Sequence, residues 1–274
     1  MSPLPKLAAS PLGRLTCLGI SFVKSVRTAR LTRIDRDSDG DWIQSHRDAT
    51  IACPDLYLKR LESIRRKAER LWFRHYRPSP GHVIMDAGAG IGEDAIVFSR
   101  AVTPSGRVIA IEPHPRVFRC LEKTARQSGL ANVVTLRTAL HSSDGEVRMS
   151  RDEQYAANAV LDGEAGELVR ARSIESLFAE LGLGAVDLLK MNIEGAEVEA
   201  LLGMAGCRRA VRNIVVSCHD FLAERGGSAR FRTRSKVVAL LERWSFRILP
   251  SEADAEEDWA RDYVYAAAAA PDRA

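Results

Sequence analysis

Five ionisable side chains close short apolar runs in this chain. Asp86 follows Val83-Ile-Met, Glu112 follows Val108-Ile-Ala-Ile, Glu194 comes shortly after Leu188-Leu-Lys-Met, and the pair His219-Asp220 follows Ile214-Val-Val-Ser-Cys. Carboxylates and an imidazole at strand ends can bind a cation or take a proton from a hydroxyl. The residues after Asp86 narrow the ligand. Glycines fall at Gly88, Gly90 and Gly92, with Ala89 between the first two and Glu93 directly after the last, where a helical apolar pattern begins. Strand, tight turn and helix make the first unit of an open α/β sheet, and glycine lets a ligand lie against bare backbone. A dinucleotide fingerprint would place its third glycine one residue later, where Glu93 stands. Acids on both sides of the turn repel phosphate and suit a ligand that carries an ammonium and a sulfonium, which describes S-adenosylmethionine (SAM). Asp86, Gly88, Ala89, Gly90, Gly92 and Glu93 are therefore expected to bind SAM. Glu112, 20 residues past Gly92, stands where an acid can accept both ribose hydroxyls. Pro113 stops that strand. Ala139, after the strand Asn132–Arg137, occupies a position suited to adenine, and Asn192 follows the fourth strand at the same edge.

The elements that must hold these residues read as α/β: an open sheet with helices on both faces. At 274 residues and 46% hydrophobic content, the chain suits one large domain with an extension. The spacing predicts a helical N-terminal extension over 1–79, a SAM-binding domain over 80–266 and a flexible tail over 267–274. Residues 1–80 carry 16 Lys and Arg against 8 Asp and Glu, a surplus of +8 beside a whole-chain charge of +4. Leu15, Leu18, Phe22, Val23 and Val26 recur at helical spacing, with Lys24, Arg27 and Arg30 elsewhere. This basic helix is expected to cap the domain or the substrate mouth; peripheral membrane contact is the alternative. Asp35-Arg-Asp-Ser-Asp-Gly-Asp41 resembles a calcium loop, but His46 stands where the twelfth-position Glu belongs, so a polar linker is expected. Pro54 to Tyr76 reads as a helix with Leu58, Leu61, Ile64, Ala68, Leu71 and Trp72 on one face. Ser142–Gly145 is a turn opening a β-hairpin at Glu146–Met149, with Leu168–Arg172 as its pairing partner. Strands are also expected at Asn213–Cys218, Phe246–Leu249 and Asp262–Ala266. Five cysteines without C-x-x-C spacing argue against a disulfide frame or zinc site and for a reducing, cytoplasmic setting. No apolar run reaches the ~18 residues that span a membrane.

The succession IMDAGAGIGEDAIVFS, VIAIEPHP, DLLKMNIEGAE and SCHDF resembles the FkbM-type methyltransferases over about residues 80–265. The resemblance implies a class I methyltransferase (Rossmann-like) seven-stranded sheet with helices on both faces. It also implies SAM as donor and hydroxyls of sugars, lipids or polyketides as acceptors. Gly90 replaces the Asn of the family's D-x-G-A-N-x-G, and Asn192 replaces the Asp of its K-M-D-I-E-G-A-E.

Methyl transfer is an in-line displacement, so the enzyme's chief task is to hold an oxygen about 3 Å from the methyl. A base that takes the hydroxyl proton adds about 10²–10⁴-fold. His219 is the expected base, since imidazole titrates near neutrality. Asp220 would orient it, bind substrate or ligate a metal. Glu194 would hold the SAM amino group, bind a substrate hydroxyl or act as the base, or else cap the following helix. Asn192, Glu194, His219 and Asp220 offer oxygen and nitrogen ligands to Mg²⁺, which stays unassigned. The primary reading is a SAM-dependent O-methyltransferase acting on a small-molecule, sugar or lipid-linked hydroxyl. N-methylation of an amine or guanidine and a non-catalytic SAM-fold binding module are the alternatives. A nucleic-acid substrate is not expected, since no target-recognition motif such as N-P-P-Y is present.

Overall fold

A computed structural model describes residues 17, 20–21, 32–56, 58, 60–149, 160–161, 166–252 and 255–269. The chain enters through an antiparallel meander of β1 (Arg33–Arg36), β2 (Trp42–Ser45) and β3 (Thr50–Cys53). This corrects the helical reading of the extension over 33–53 and the linker at 35–41. Four-residue strands are too short to show alternation, and the aspartates form the turn of a hairpin, where Gly40 takes a φ of +79°. The expected basic helix from Leu12 lies mostly outside the described residues; Cys17, Ile20 and Ser21 are helical. Helix α1 (Leu61–Lys67) continues as a π-helical turn, Ala68–Trp72, so the helix expected over 54–76 is shorter at both ends.

The core then alternates strand and helix: β4 (Val83–Ala87), α2 (Glu93–Val102), β5 (Arg107–Ile111), α3 (Pro115–Gln127) and β6 (Val133–Leu136). Next come β7 (Ala139–Leu140), β8 (Gly145–Met149), β9 (Val160–Leu161) and β10 (Glu167–Arg172). These four make a separate sheet in the order β7-β10-β8-β9. Its β8–β10 ladder is the expected hairpin pairing, with Val147 opposite Val169. The chain returns through α4 (Ile174–Leu181), β11 (Leu188–Met191), α5 (Glu197–Leu202), β12 (Asn213–Ser217), α6 (Asp220–Glu224) and α7 (Arg234–Arg243). It ends in β13 (Phe246–Leu249), α8 (Asp258–Arg261) and β14 (Tyr263–Ala268). The last strand reaches two residues into the expected tail, because Ala267 pairs with both Asn213 and Arg247.

The main sheet has seven strands in the order β13-β14-β12-β11-β4-β5-β6. Only β14 runs against its neighbours. Both faces are covered, as parallel strands require. Met85, Ile109 and Leu189 pack on one face with Leu177, Leu201 and Leu241 of α4, α5 and α7. Ile84, Val108 and Leu188 pack on the other with Leu71, Trp72 and Phe98. After β4 the chain builds outward to β6, then crosses back to lay β11 on β4's other side. Ligands of open α/β sheets bind at that switch, outside the carboxyl ends of the strands.

The meander docks on α3 through charge. Lys123 Nζ lies 2.5, 2.7 and 2.6 Å from carboxylates of Asp37, Asp39 and Asp41, and Arg119 grips Asp41 through two nitrogens. Among the described residues, these aspartates are the one His/Cys/Asp/Glu group close enough to hold a metal, and an ammonium fills it.

Candidate active site

At the carboxyl ends of β4, β5 and β11 lies a cavity of about 260 Å³. The glycine turn forms its floor. Gly88 and Ala89 both donate backbone N–H to the Ile111 carbonyl at 3.0 Å. Gly88 has φ +73°, and a Cβ there would lie 2.0 Å from the Asn192 carbonyl oxygen. At Gly90, also left-handed, a Cβ would meet nothing within 4 Å. Gly88, Ala89, Gly90 and Glu93 line the cavity from this turn, Glu112 and Pro113 from the end of β5, Ala139 from β7, and Asn192 and Glu194 from beyond β11.

Four of the expected site residues do not line it. Gly92 packs against α3, its would-be Cβ 2.8 Å from Leu121 Cδ1. Asp86, expected on the ammonium of the donor, is 0% exposed and pairs with Lys190 Nζ at 2.7 Å. Lys190, itself 1% exposed, also donates to the Gly88 carbonyl at 2.9 Å. The acid of the motif thus anchors a lysine that fixes the turn. Burial raises the Asp86 carboxyl above the usual carboxylate range, against the opposing charge of Lys190. Reading the fourth strand as apolar concealed Lys190, which lines the cavity.

Glu112 holds the turn from the other side. Its Oε2 accepts the Gly90 N–H and its Oε1 the His114 N–H, each at 3.0 Å. Burial pushes its carboxyl up to about 7, more than these two donors lower it. The expected ribose position is thus an acid at the cavity edge, already ordered by backbone donors.

His219 and Asp220 are the remaining two. His219 is 6% exposed, with Nε2 3.2 Å from Glu194 Oε1 and Nδ1 3.4 Å from Glu197 Oε1. Burial alone would lower its pKa, but the hydrogen bonds to Glu194 and Glu197 outweigh it and raise the value to about 9. At neutral pH His219 is an imidazolium, so its expected role as a base near neutrality is corrected: two carboxylates hold its proton. Asp220 does not orient it. Asp220 Oδ2 accepts the backbone N–H of Thr233 and of Arg234, each at 3.0 Å, and so caps α7. With Asp220 capping and His219 paired on both nitrogens, the four residues proposed for Mg²⁺ form no ligand set. Glu197, 0% exposed, was missed because it reads as an ordinary residue in a helix's first turn. Its Oε1 also accepts the Gly195 N–H at 3.0 Å. Glu194 takes φ +53°, a left-handed conformation that costs a side-chain residue about 1–2 kcal/mol. It holds that shape where its carboxylate meets both His219 and the cavity.

Behind the lining lies Trp72, which is fully buried. Its Nε1 donates to Asp94 Oδ2 at 3.0 Å, and Lys190 Nζ lies 5.0 Å from its ring centroid. Lys67, from the last position of α1, and Asp94, from the first turn of α2, line the cavity beside it. Lys67 belongs to no motif, and Asp94 falls within the glycine-rich run but after its last glycine, so neither stood out in the sequence.

These features fit SAM. The glycine floor gives the close backbone approach, Glu112 an acceptor for ribose hydroxyls, and Ala139, Leu140 and Met149 an apolar end for adenine. Asp94 Oδ1 is a buried carboxylate oxygen without a hydrogen-bond partner.

A family model described as the methyltransferase FkbM domain matches residues 86–248. The chain is 29% identical over 140 residues to hexuronic acid methyltransferase AglP of Haloferax volcanii, covering 50% of this chain and 56% of that protein. It is 24% identical over 219 residues to 31-O-demethyl-FK506 methyltransferase FkbM of Streptomyces tacrolimicus, covering 67% of this chain and 80% of that one. A solved structure of methyltransferase FkbM from Methylobacillus flagellatus overlays with a TM-score of 0.49 at 20% identity, covering 72% of this chain and 46% of that chain. The match thus spans little more than half the length of AglP and less than half of that solved chain.

Proposed function

The chain belongs to the FkbM family of SAM-dependent methyltransferases, and from that premise we propose that it methylates a hydroxyl oxygen on a small-molecule, sugar or lipid-linked acceptor. The observation that carries the proposal is the Glu194–His219–Glu197 chain of hydrogen bonds at the cavity wall. SAM, when bound, supplies an electrophilic methyl on a sulfonium. The protein's own task is to align the acceptor and receive its proton.

Glu194 is the group suited to receive it. An alcohol is a weak nucleophile in the ground state, but its proton becomes strongly acidic as the new C–O bond forms. A carboxylate at hydrogen-bond distance is then a sufficient base, worth about 10²–10⁴-fold. His219, protonated at neutral pH, is a positioning residue: its Nε2–H faces Glu194 and its Nδ1–H faces Glu197. Asn192 places an amide in the cavity where the family usually has an Asp, so the negative charge on this wall comes from Glu194. Names of relatives agree with oxygen as the acceptor atom, since the Streptomyces protein acts at a 31-O position.

The test is Glu194→Gln. Turnover, read as S-adenosylhomocysteine release with a panel of sugars, uronic acids and prenyl-linked sugars, should fall about 10²–10⁴-fold. Titration calorimetry should find S-adenosylhomocysteine affinity within about threefold of wild type. A parallel collapse of affinity would make Glu194 a donor-binding residue instead. Undiminished turnover would favour an amine acceptor, which needs less help to lose a proton.

A further inference from the structure

The cavity carries its charge unevenly. On the β5 side stands Glu112, and beyond it the lining turns apolar at Pro113, Leu140 and Met149. Toward β11 lie Lys190 and Glu194, with Lys67 and Asp94 gathered beside Lys190 around Trp72. Because β4 separates β5 from β11 in the sheet, a long ligand across the glycine turn has one apolar end and one zwitterionic end. SAM has the same polarity: an adenine at one end, and an α-ammonium with an α-carboxylate at the other.

Two of these groups are already committed. Lys190 serves Asp86 and the Gly88 carbonyl, and Glu194 faces His219. Asp94 is different. It is 6% exposed and lines the cavity; Oδ2 accepts the Trp72 indole N–H, while Oδ1 is buried without a hydrogen-bond partner. A buried carboxylate oxygen left so is costly, and a ligand donor would recover that cost. Lys67 stands beside it, with Nζ 5.7 Å from the Trp72 ring centroid. It comes from α1, 19 residues before the family match begins at 86.

We propose that Lys67 and Asp94, joined through Trp72, form the recognition site for the amino-acid end of the donor, Lys67 meeting its carboxylate and Asp94 its ammonium. The assignment rests on the reading of the cavity as a SAM site. It moves the ammonium contact from Asp86, which is sealed behind Lys190, to an acid eight residues further on, in the first turn of α2. It also places a donor-binding residue on a segment outside the family domain.

Calorimetry with two ligands tests it. S-adenosylhomocysteine carries the amino-acid end, whereas 5′-methylthioadenosine keeps the nucleoside and lacks both charges. Lys67→Met and Asp94→Asn should each weaken S-adenosylhomocysteine by about 10–100-fold and leave 5′-methylthioadenosine within about twofold. Asp94→Asn retains an oxygen for the Trp72 indole, and Lys67→Arg, which keeps the charge, should restore most of the affinity. Unchanged S-adenosylhomocysteine binding in both variants, or equal weakening of both ligands, overturns the proposal. If the wild type binds neither ligand, the SAM reading of the cavity falls first and takes this one with it.

Discussion

Lys190 Nζ stands 2.7 Å from Asp86 Oδ1 at a point where both side chains are sealed from solvent. The pair lies on neighbouring parallel strands in direct register, Lys190 of β11 opposite Asp86 of β4. Because the same ammonium holds the Gly88 carbonyl, one ion pair joins the sheet's switch point to the floor of the cavity.

Removing one member should therefore cost far more than removing both. Lys190→Met leaves a buried carboxylate without its counter-charge and should destabilise the protein by about 3–5 kcal/mol. Adding Asp86→Asn to that variant should recover much of the loss. Urea unfolding of the two single variants and the double variant closes the cycle; additive losses would show that the two residues do not act as a pair.

The His219 pair sets a pH dependence. Its folded pKa, about 9, lies above the ordinary 6.5, so its stabilisation is fully present below about 6.5 and is lost as pH rises through 9. The raised value corresponds to on the order of 3 kcal/mol. Stability measured between pH 6.5 and 9.5 should decline in the wild type and flatten in His219→Gln. At saturating donor, turnover should show no rising limb near pH 6.5, where a neutral imidazole base would produce one.

Glu112 should govern how the donor binds with pH. Its carboxyl, pushed up to about 7 by burial, is mostly protonated at pH 6 and mostly ionised at pH 8. If the carboxylate is the form that accepts ribose hydroxyls, S-adenosylhomocysteine affinity should rise about tenfold across that interval. Glu112→Gln should bind weakly at both ends, with no such rise.

The glycines of the turn should separate by what surrounds them. Gly88→Ala drives a Cβ against the Asn192 carbonyl and adds a left-handed strain, together about 3 kcal/mol or more. Gly90→Ala meets open space and should cost about 1–2 kcal/mol, the strain alone. Thermal or urea unfolding ranks the two; equal losses would mean that Asn192 can yield.

The glycine turn, the acid at Glu112 and the seven-stranded sheet were legible because each is local: a strand end, a turn that needs positive φ, a run of apolar residues covered on both faces. What escaped was set by contacts far apart in the chain. Asp86 looked like a ligand residue until Lys190, 104 positions away, came to rest on it. His219 looked like a base because nothing around it suggests that Glu194 and Glu197 meet its two nitrogens. Asp220 looked like its partner and turned out to cap α7, thirteen residues on. The meander was hidden by its brevity. Its three aspartates imitate a calcium loop in one dimension, and only the fold brings Lys123 among them.

Trp72 and its π-helical turn show that evolutionary and physical boundaries differ in this chain. The shared family segment opens at residue 86, yet Lys67, which precedes it, lines the cavity, and Trp72 backs that side. A chimaera that spliced residues 80–266 behind another protein's leader would inherit every glycine of the turn and still lack part of the vessel around the ligand. Transplanting this chemistry calls for cutting ahead of residue 61, so that α1 and the indole travel with the sheet they close.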